Sequence, residues 1–153
     1  MANRARCKAV TNDYVTAFNE YDIDYLEELF EDEVVVSRQD EPAVNVGRAA
    51  IAKRVKKYWV TSIEKDIPIT AVCGLIDFKD TRAMPCVAIL AENTPLTVVV
   101  CEAEKGRKAH LHTEITDTSL VQSVRFCCTH KQMRYEDDKT CPQTCERVLD
   151  LTN

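Results

Sequence analysis

The first third of the chain carries apolar residues at the spacing of amphipathic helices. Within residues 5–20, apolar side chains recur at helical intervals with polar residues between them. The positions concerned are Val10, Tyr14, Ala17 and Phe18, and Tyr21 follows directly after this segment at the same spacing. This period predicts a helix that buries one face.

A second, shorter helix is predicted to begin after Asp22, whose side chain can cap the first backbone N–H groups. Leu26, Leu29 and Phe30 lie on one side of it, and acidic residues cover the other. Acidic side chains near a helix C-terminus oppose the helix dipole, so this helix should stop early. The β-branched run Val34–Val36 then predicts the beginning of a strand.

A third helix is predicted from Arg48 to about Trp59, after which the pattern becomes β. Its expected buried positions are Ile51, Val55, Tyr58 and Trp59. Short polar turns, including a hairpin at Lys105 and Gly106, separate the predicted strands. These strands are Ile67–Phe78, Met84–Ala91, Leu96–Ala103, His110–Thr116 and Val121–His130. Helices followed by antiparallel strands predict an α+β fold, with the N-terminal helices packed against one face of a curved sheet.

Length and composition limit the organisation of the chain. Its 153 residues suit one domain with one core, and no linker or repeat marks a second domain. We assign residues 1–134 to this domain. Residues 135–153 form a charged tail, which either packs over one end of the fold or is partly disordered.

The charge and residue content exclude several classes of function. A net charge of −5 disfavours nucleic acids and acidic membranes as partners. No secretory signal or membrane-spanning apolar run is present, so we expect a soluble, cytoplasmic protein with reduced cysteines. With only three glycines, the chain has no glycine-rich phosphate loop, and we expect no cofactor. We interpret the basic stretches Lys53–Lys57 and Lys105–Lys108 as solvated faces.

Three separated segments resemble one known family in their order along the chain. They are "NDYVTAFNEYDIDYLEELFEDEVVV", "VGRAAIAKRVKKYW" and "TEITDTSLVQSVRF". Together they resemble the SnoaL-like branch of the nuclear transport factor 2-like superfamily, which includes ketosteroid isomerases, limonene epoxide hydrolases and polyketide cyclases. The resemblance covers about residues 8–130 and implies a cone-shaped fold of helices on the concave face of a sheet. This fold hosts enzymes, binding proteins and assembly domains, so it does not fix the function.

The resemblance also implies where a site would lie, namely between the helices and the concave face. Ketosteroid isomerases donate a hydrogen bond from a tyrosine of the first helix, which corresponds to Tyr14. Their carboxylate base corresponds to Arg38, and their protonated carboxylic acid corresponds to Leu111. Arginine stays protonated at ordinary pH, so the usual carboxylate mechanism is excluded. The Asp-Arg-Asp arrangement of epoxide hydrolases with this fold fails as well, because Phe126 takes one acid position.

Side-chain alternation along the first strand leaves two readings of Arg38. Val34, Val36, Arg38 and Asp40 share one face, which we place inside. Arg38 is then either a pocket cation that holds an anionic oxygen or the ion-pair partner of Asp40 at the pocket mouth. A β-bulge before Arg38 would reverse this alternation and turn its side chain towards solvent. Asp40 would act as a base only if it faced inward and were unpaired.

Tyr14 has two readings too. A tyrosine on the buried face of a helix commonly belongs to the core, with its hydroxyl group hydrogen-bonded. It would be a site residue only if another polar group converged on it.

Histidines and cysteines suggest a metal site only weakly. His110 and His112 alternate with Leu111, Thr113 and Ile115, which look like core residues, so we expect both histidines on the outer face. Cys73, Cys86 and Cys101 fall within strands and are expected to be small core residues. The C-terminal cysteines leave a zinc site and a disulfide both open, and we assign no metal ligand.

Our leading hypothesis is a protein that binds a small hydrophobic or anionic organic ligand. If it is an enzyme, we expect a cofactor-free isomerase, cyclase or dehydratase acting on a carbonyl compound. Tyr14 would donate to an oxygen, Arg38 would stabilise negative charge, and Asp40 or a bound water would move the proton. The expected ligand-binding residues are Phe18, Val34, Val36, Tyr58, Trp59, Phe126 and Cys128, which make a mainly apolar pocket.

The alternative hypothesis is a non-catalytic domain for homo-oligomerisation or interaction, and a homodimer is expected in either case. The outer face of the sheet would form the contact. Its candidate residues are Val35, Val98, Val100, His110 and His112.

Overall fold

A computed structural model of the chain describes residues 3–39, 44–78, 84–92, 94–115, 121–127 and 146–150, of which 76–78, 121–127 and 146–150 are described by their backbone. The helices are α1 (Arg4–Asn19), α2 (Ile23–Glu28) and α3 (Arg48–Lys65). The strands are β1 (Phe30–Arg38), β2 (Asn45–Val46), β3 (Ile69–Phe78), β4 (Met84–Ala91), β5 (Thr94–Ala103), β6 (Ala109–Ile115), β7 (Val121–Cys127) and β8 (Glu146–Asp150).

The described strands form one open sheet in the order β2-β1-β6-β5-β4-β3-β7-β8. The pairing of β1 with β6 is parallel, and every other neighbouring pair is antiparallel. The strand β8 belongs to the segment that the sequence assigned to a tail, and it pairs with β7. The rest of that segment lies outside the described residues.

The helices pack against one face of this sheet, so the predicted α+β class is confirmed. Helix α1 crosses β3, β4 and β5, and α3 lies against β1 and α2. The core between the helices and the sheet contains Tyr14 and Phe18 from α1, together with Val34 and Val36 from β1. No helix in the described part of the chain has both the length and the apolar composition needed to cross a membrane.

The helix boundaries follow local chemistry, with two departures from the prediction. The Asp22 side chain accepts a hydrogen bond from the backbone N–H of Tyr25, as expected of an N-cap. Helix α2 then ends at Glu28, and β1 begins at Phe30 rather than at Val34. Helix α3 continues beyond Trp59 to Lys65 and ends where Asp66 adopts a left-handed backbone conformation with φ 51°.

A β-bulge in β6 changes which of its side chains face the core. Leu111 pairs with Glu102, whereas Ala109 pairs with the next residue of β5, Ala103, so that His110 is an extra residue on β6. The bulge reverses the alternation. His112 and Glu114 are therefore buried beside the inner core, while His110 is exposed. The prediction that His112 lies on the outer face is wrong for this reason.

The opposite face of the sheet carries a second apolar cluster. Its buried members are Cys86, Ala88, Leu90, Val98, Val100 and Ile115. Cys73 and Cys101 lie in the inner core, so these two and Cys86 are buried thiols, as predicted. Because Val98 and Val100 belong to the outer cluster while Val99 belongs to the inner core, β5 is buried on both faces.

Candidate functional site

The alternation predicted for β1 is correct as far as Arg38. Val34 and Val36 are fully buried, and Val35 between them is exposed. Arg38 follows on the inner face at the end of the strand, with 29% of its side chain exposed. Asp40, the other predicted polar residue of this face, lies outside the described residues. Val34 and Val36 thus anchor the strand in the core, and Arg38 reaches the edge of that core.

Arg38 meets a buried carboxylate that the sequence reading did not assign to the site. Oε2 of Glu114 lies 3.6 Å from Nε of Arg38 and accepts a hydrogen bond from Nη1 of Arg54 at 3.3 Å. The Glu114 side chain is 2% exposed, and that of Arg54 is 13% exposed. Two guanidinium groups from β1 and α3 therefore converge on one carboxylate of β6. Arg54 contributes a charge-assisted hydrogen bond to this carboxylate, and Arg38 contributes an ion pair at a slightly longer distance.

These three residues line a cavity of about 490 Å³ between α3, the end of β1 and the sheet. The full set of lining residues is Arg38, Asn45, Ala50, Lys53, Arg54, Lys57, Tyr58, Thr61, Leu96 and Glu114. The volume lies in the usual range of small-molecule sites. The wall is more polar than the predicted apolar pocket, because helix α3 contributes three cationic side chains to it.

The basic stretch Lys53–Lys57 is thus only partly the solvated face that its composition suggested. Lys53, Arg54 and Lys57 line the cavity, and Arg54 is largely buried against Glu114. The helical period carried a usable signal, because residue 54 lies one turn before Tyr58, which was predicted to be buried. Glu114 offered no such signal, since its inward orientation depends on the bulge at His110.

A second polar contact lies deeper in the core. The hydroxyl group of Tyr14 is 3.3 Å from Nε2 of His112, and the two rings are 5.8 Å apart between centroids. Phe30 packs edge-on against His112 at 5.7 Å. Tyr14 and His112 are almost completely buried, and neither lines the cavity. This pair is a hydrogen-bonded contact inside a closed aromatic environment.

Burial sets the ionisation of this pair. Desolvation, with a smaller contribution from the positive charge of Arg54, lowers the pKa of His112 to about 3, so the imidazole is neutral at physiological pH. Desolvation likewise raises the pKa of Tyr14 well above its usual 10, and the charge of Glu114 adds to this effect. Nδ1 of His112 has no hydrogen-bond partner among the described residues. The pair is therefore uncharged, although it is electrostatically coupled to the cavity wall.

The structure distributes the predicted site residues over three environments. Arg38 and Tyr58 line the cavity, whereas Tyr14, Phe18, Val34 and Val36 are closed into the core. Trp59 is half-buried, and its indole N–H donates to the carbonyl oxygen of Phe18 at 3.2 Å. Phe126 lies on β7, where the backbone alone is described, and Cys128 lies outside the described residues.

The described residues bring together no group of three or more side chains suited to hold a metal ion. The predicted histidine pair is divided by the bulge, because His110 is exposed and His112 is buried. The cysteines of the C-terminal segment fall outside the residues whose side chains are described.

Comparison with solved structures gives the same fold at low sequence identity. One similar structure is the epoxide hydrolase/cyclase-like enzyme SalBIII, which has a role in pyran ring formation in the polyether salinomycin. It is 20% identical to this chain with a TM-score of 0.54, and the alignment covers 79% of this chain and 98% of SalBIII. Bal32a from a soil-derived mobile gene cassette is 24% identical with a TM-score of 0.51, and the alignment covers 73% of this chain and 90% of Bal32a. A SnoaL-like protein of unknown function from Burkholderia thailandensis is 12% identical with a TM-score of 0.50, and the alignment covers 74% of this chain and 95% of the Burkholderia protein.

No protein-family model and no curated protein matches the sequence. The solved structures show the fold alone, and the fold implied by the resemblance to SnoaL-like proteins is confirmed by them. At this level of identity the shared fold carries no activity from those proteins to this chain.

Proposed function

We propose that the protein binds a small organic ligand in the cavity beside α3 and that it is a cofactor-free isomerase, cyclase or dehydratase of a carbonyl compound. The observation that supports this most is the convergence of Arg38 and Arg54 on Glu114 at the cavity wall. The carboxylate holds both guanidinium groups in place before a ligand arrives. Preorganised cations of this kind stabilise negative charge that develops on a substrate oxygen.

Arg38 and Arg54 take the electrostatic part in this proposal. Proton removal next to a carbonyl group, or opening of a ring, places negative charge on oxygen. A hydrogen bond from a guanidinium group to that oxygen contributes roughly 1.5–3 kcal/mol. Glu114 acts as a positioning residue, because its Oε2 is already engaged by the arginines. Asp40 or a bound water remains the group proposed to move the proton.

Tyr14 has a different role here from the one implied by the family resemblance. Its hydroxyl group is directed at His112, and neither residue lines the cavity. Tyr14 therefore contacts β6 at His112, which lies two residues before Glu114. We propose no direct contact between Tyr14 and the ligand.

The alternative function, homo-oligomerisation through the outer sheet face, has less support. Val98 and Val100 are buried within the single chain, and His112 lies inside. Val35 and His110 remain exposed. A homodimer stays a prediction that native mass spectrometry tests together with ligand retention.

The decisive experiment is native mass spectrometry of gently purified protein, with Arg38→Gln as the test variant. We expect an additional organic mass on the wild-type chain and its loss in the variant. Arg107→Gln is the matched control, since Arg107 is a largely exposed arginine away from the cavity. Retention of the mass in both variants would contradict the proposal. The proposal would also be contradicted if the wild-type protein retained no additional mass and then bound no member of a panel of carbonyl compounds.

A turnover assay completes the test once the retained compound is identified. Removal of one preorganised charge-stabilising donor commonly lowers kcat about 10²- to 10³-fold. We expect a loss of this order in Arg38→Gln and unchanged kcat in Arg107→Gln. Equal kcat values in the two variants would contradict the proposed role of Arg38 in stabilising negative charge, and absence of turnover would leave binding without catalysis.

A further inference from the structure

The cavity differs in charge from the rest of the molecule. The chain as a whole has 25 acidic and 20 basic residues, for a net charge of −5. The described cavity wall carries four basic side chains, namely Arg38, Lys53, Arg54 and Lys57, and one acidic side chain, Glu114. A local excess of positive charge on an acidic protein attracts anions to this cavity rather than to the surface in general.

Helix α3 arranges its part of this charge in two layers. Ala50, Arg54 and Tyr58 follow each other at intervals of four residues and are half-buried, so they form the inner ridge. Lys53, Lys57 and Thr61 follow each other at the same interval and form the outer ridge, on which both lysines are exposed. The cavity therefore has guanidinium groups at its floor and ammonium groups at its rim.

The two layers differ in what balances their charge. At the floor, Glu114 contacts both Arg38 and Arg54. At the rim, the ammonium groups of Lys53 and Lys57 form no ion pair with any of the described residues. Like charges one turn apart on a helix repel each other, and an anion between them removes that repulsion. The rim is thus a second anion-binding position, separate from the floor.

We propose that the ligand is an organic dianion, with one carboxylate or other anionic oxygen group at the Arg38–Arg54 floor and a second at the Lys53–Lys57 rim. This inference rests on the proposed function and specifies its ligand. Neighbouring positions on the two ridges lie roughly 5–6 Å apart between Cβ atoms, so a short carbon chain spans the two layers. Ala50, Tyr58 and Leu96 supply apolar wall for that chain.

The test uses α,ω-dicarboxylates from malonate to pimelate as probes, each paired with the monocarboxylate of equal chain length. Calorimetric titration measures both affinities at low and at high salt. For at least one chain length we expect the dicarboxylate to bind about tenfold more tightly, because the second carboxylate gains two exposed ammonium contacts. Added salt should reduce this preference, since the rim is open to solvent.

Two double variants locate the second anion position. Lys53→Gln/Lys57→Gln should bring the dicarboxylate affinity down to that of the monocarboxylate. Lys56→Gln/Lys65→Gln removes the same charge from exposed positions of α3 outside the cavity and should keep the preference.

Three results would overturn the proposal that the ligand is a dianion. They are the absence of any dicarboxylate preference, the absence of dicarboxylate binding, and an equal loss of preference in both double variants. The proposed function is judged separately by the retained mass. A retained neutral or monoanionic compound that depends on Arg38 would refute the dianion and support the cavity as a binding site. No retained mass, together with no binding of dicarboxylates or carbonyl compounds, would refute both.

Discussion

Two polar regions on the same face of β6 differ in almost every physical respect. At His112, the polar atoms are closed into the core against Tyr14 and Phe30. At Glu114, two residues and roughly 7 Å further along the strand, the carboxylate meets two arginines on the wall of a cavity. One region is neutral and sealed, whereas the other is charged and open.

The difference shows how a fold can separate support from chemistry. A neutral tyrosine–histidine contact can be buried because its hydrogen bond replaces most of the lost hydration. A carboxylate with two guanidinium groups needs mutual pairing and remains accessible to a polar ligand. The family resemblance implied that Tyr14 donates a hydrogen bond to the substrate, but Tyr14 does not line the cavity, whose wall includes Arg38 and Glu114. Perturbation of each region in turn tests this division.

Glu114→Gln should produce the largest loss of stability. The change leaves two partly buried guanidinium groups without the carboxylate that contacts them, and removal of one partner from a buried ion pair costs about 3 kcal/mol or more. Urea denaturation measures the free energy of unfolding. The control is Glu31→Gln, which removes the carboxylate of a more exposed pair with Arg107 and should cost less than about 1 kcal/mol. Similar losses in the two variants would mean that water solvates the Glu114 cluster.

His112 should make the protein sensitive to acid in a defined range of pH. Its pKa is about 3 in the folded state against an ordinary value of 6.5, so below pH 6.5 the unfolded chain binds a proton that the folded chain does not. The free energy of unfolding therefore decreases as the pH is lowered from about 6.5 to about 3. Between pH 7 and pH 4 this residue should account for a loss of roughly 3 kcal/mol.

The comparison that isolates this effect is His112→Gln with His110→Gln. The difference in unfolding free energy between pH 7 and pH 4 should shrink in the first variant and stay unchanged in the second, because His110 is exposed. Equal pH dependence in the wild type and in His112→Gln would show that the buried imidazole takes up its proton normally.

Tyr14→Phe should have a smaller effect, confined to stability. The variant removes the hydroxyl group 3.3 Å from Nε2 of His112 and keeps the aromatic packing, which should cost about 1–2 kcal/mol. Ligand retention in native mass spectrometry should be unchanged, because Tyr14 does not line the cavity. Loss of the ligand with unchanged stability would instead favour the direct contact implied by the family resemblance.

The sequence predicted most of the fold because its signals are local. The helical period around Tyr14, the N-cap at Asp22 and the limits of Met84–Ala91 all agree with the structure. The departures occur where two signals compete. Phe30 fits the apolar side of a helix and also the start of a strand, and the acidic residues around it favoured the strand. Beyond Trp59, the helix continues until a left-handed residue ends it.

The site was less predictable because it depends on contacts between distant segments. The inward orientation of Arg38 followed from alternation along one strand. Glu114 could be found only by locating the bulge at His110, and a bulge depends on the pairing of β6 with β5. Arg54 was hidden in a basic stretch, where its partner sixty residues away on β6 cannot be inferred from helical spacing.

The smallest stability effect is expected at the rim of the cavity, and it separates binding from folding. Lys53 and Lys57 are exposed and form no ion pair within the described ranges, so Lys53→Gln/Lys57→Gln should change the unfolding free energy by less than about 0.5 kcal/mol. The same urea denaturation used for Glu114→Gln measures this. A loss approaching that of Glu114→Gln would show that the two lysines stabilise the fold, and the expected contrast between a floor that contributes to stability and a rim that does not would then disappear.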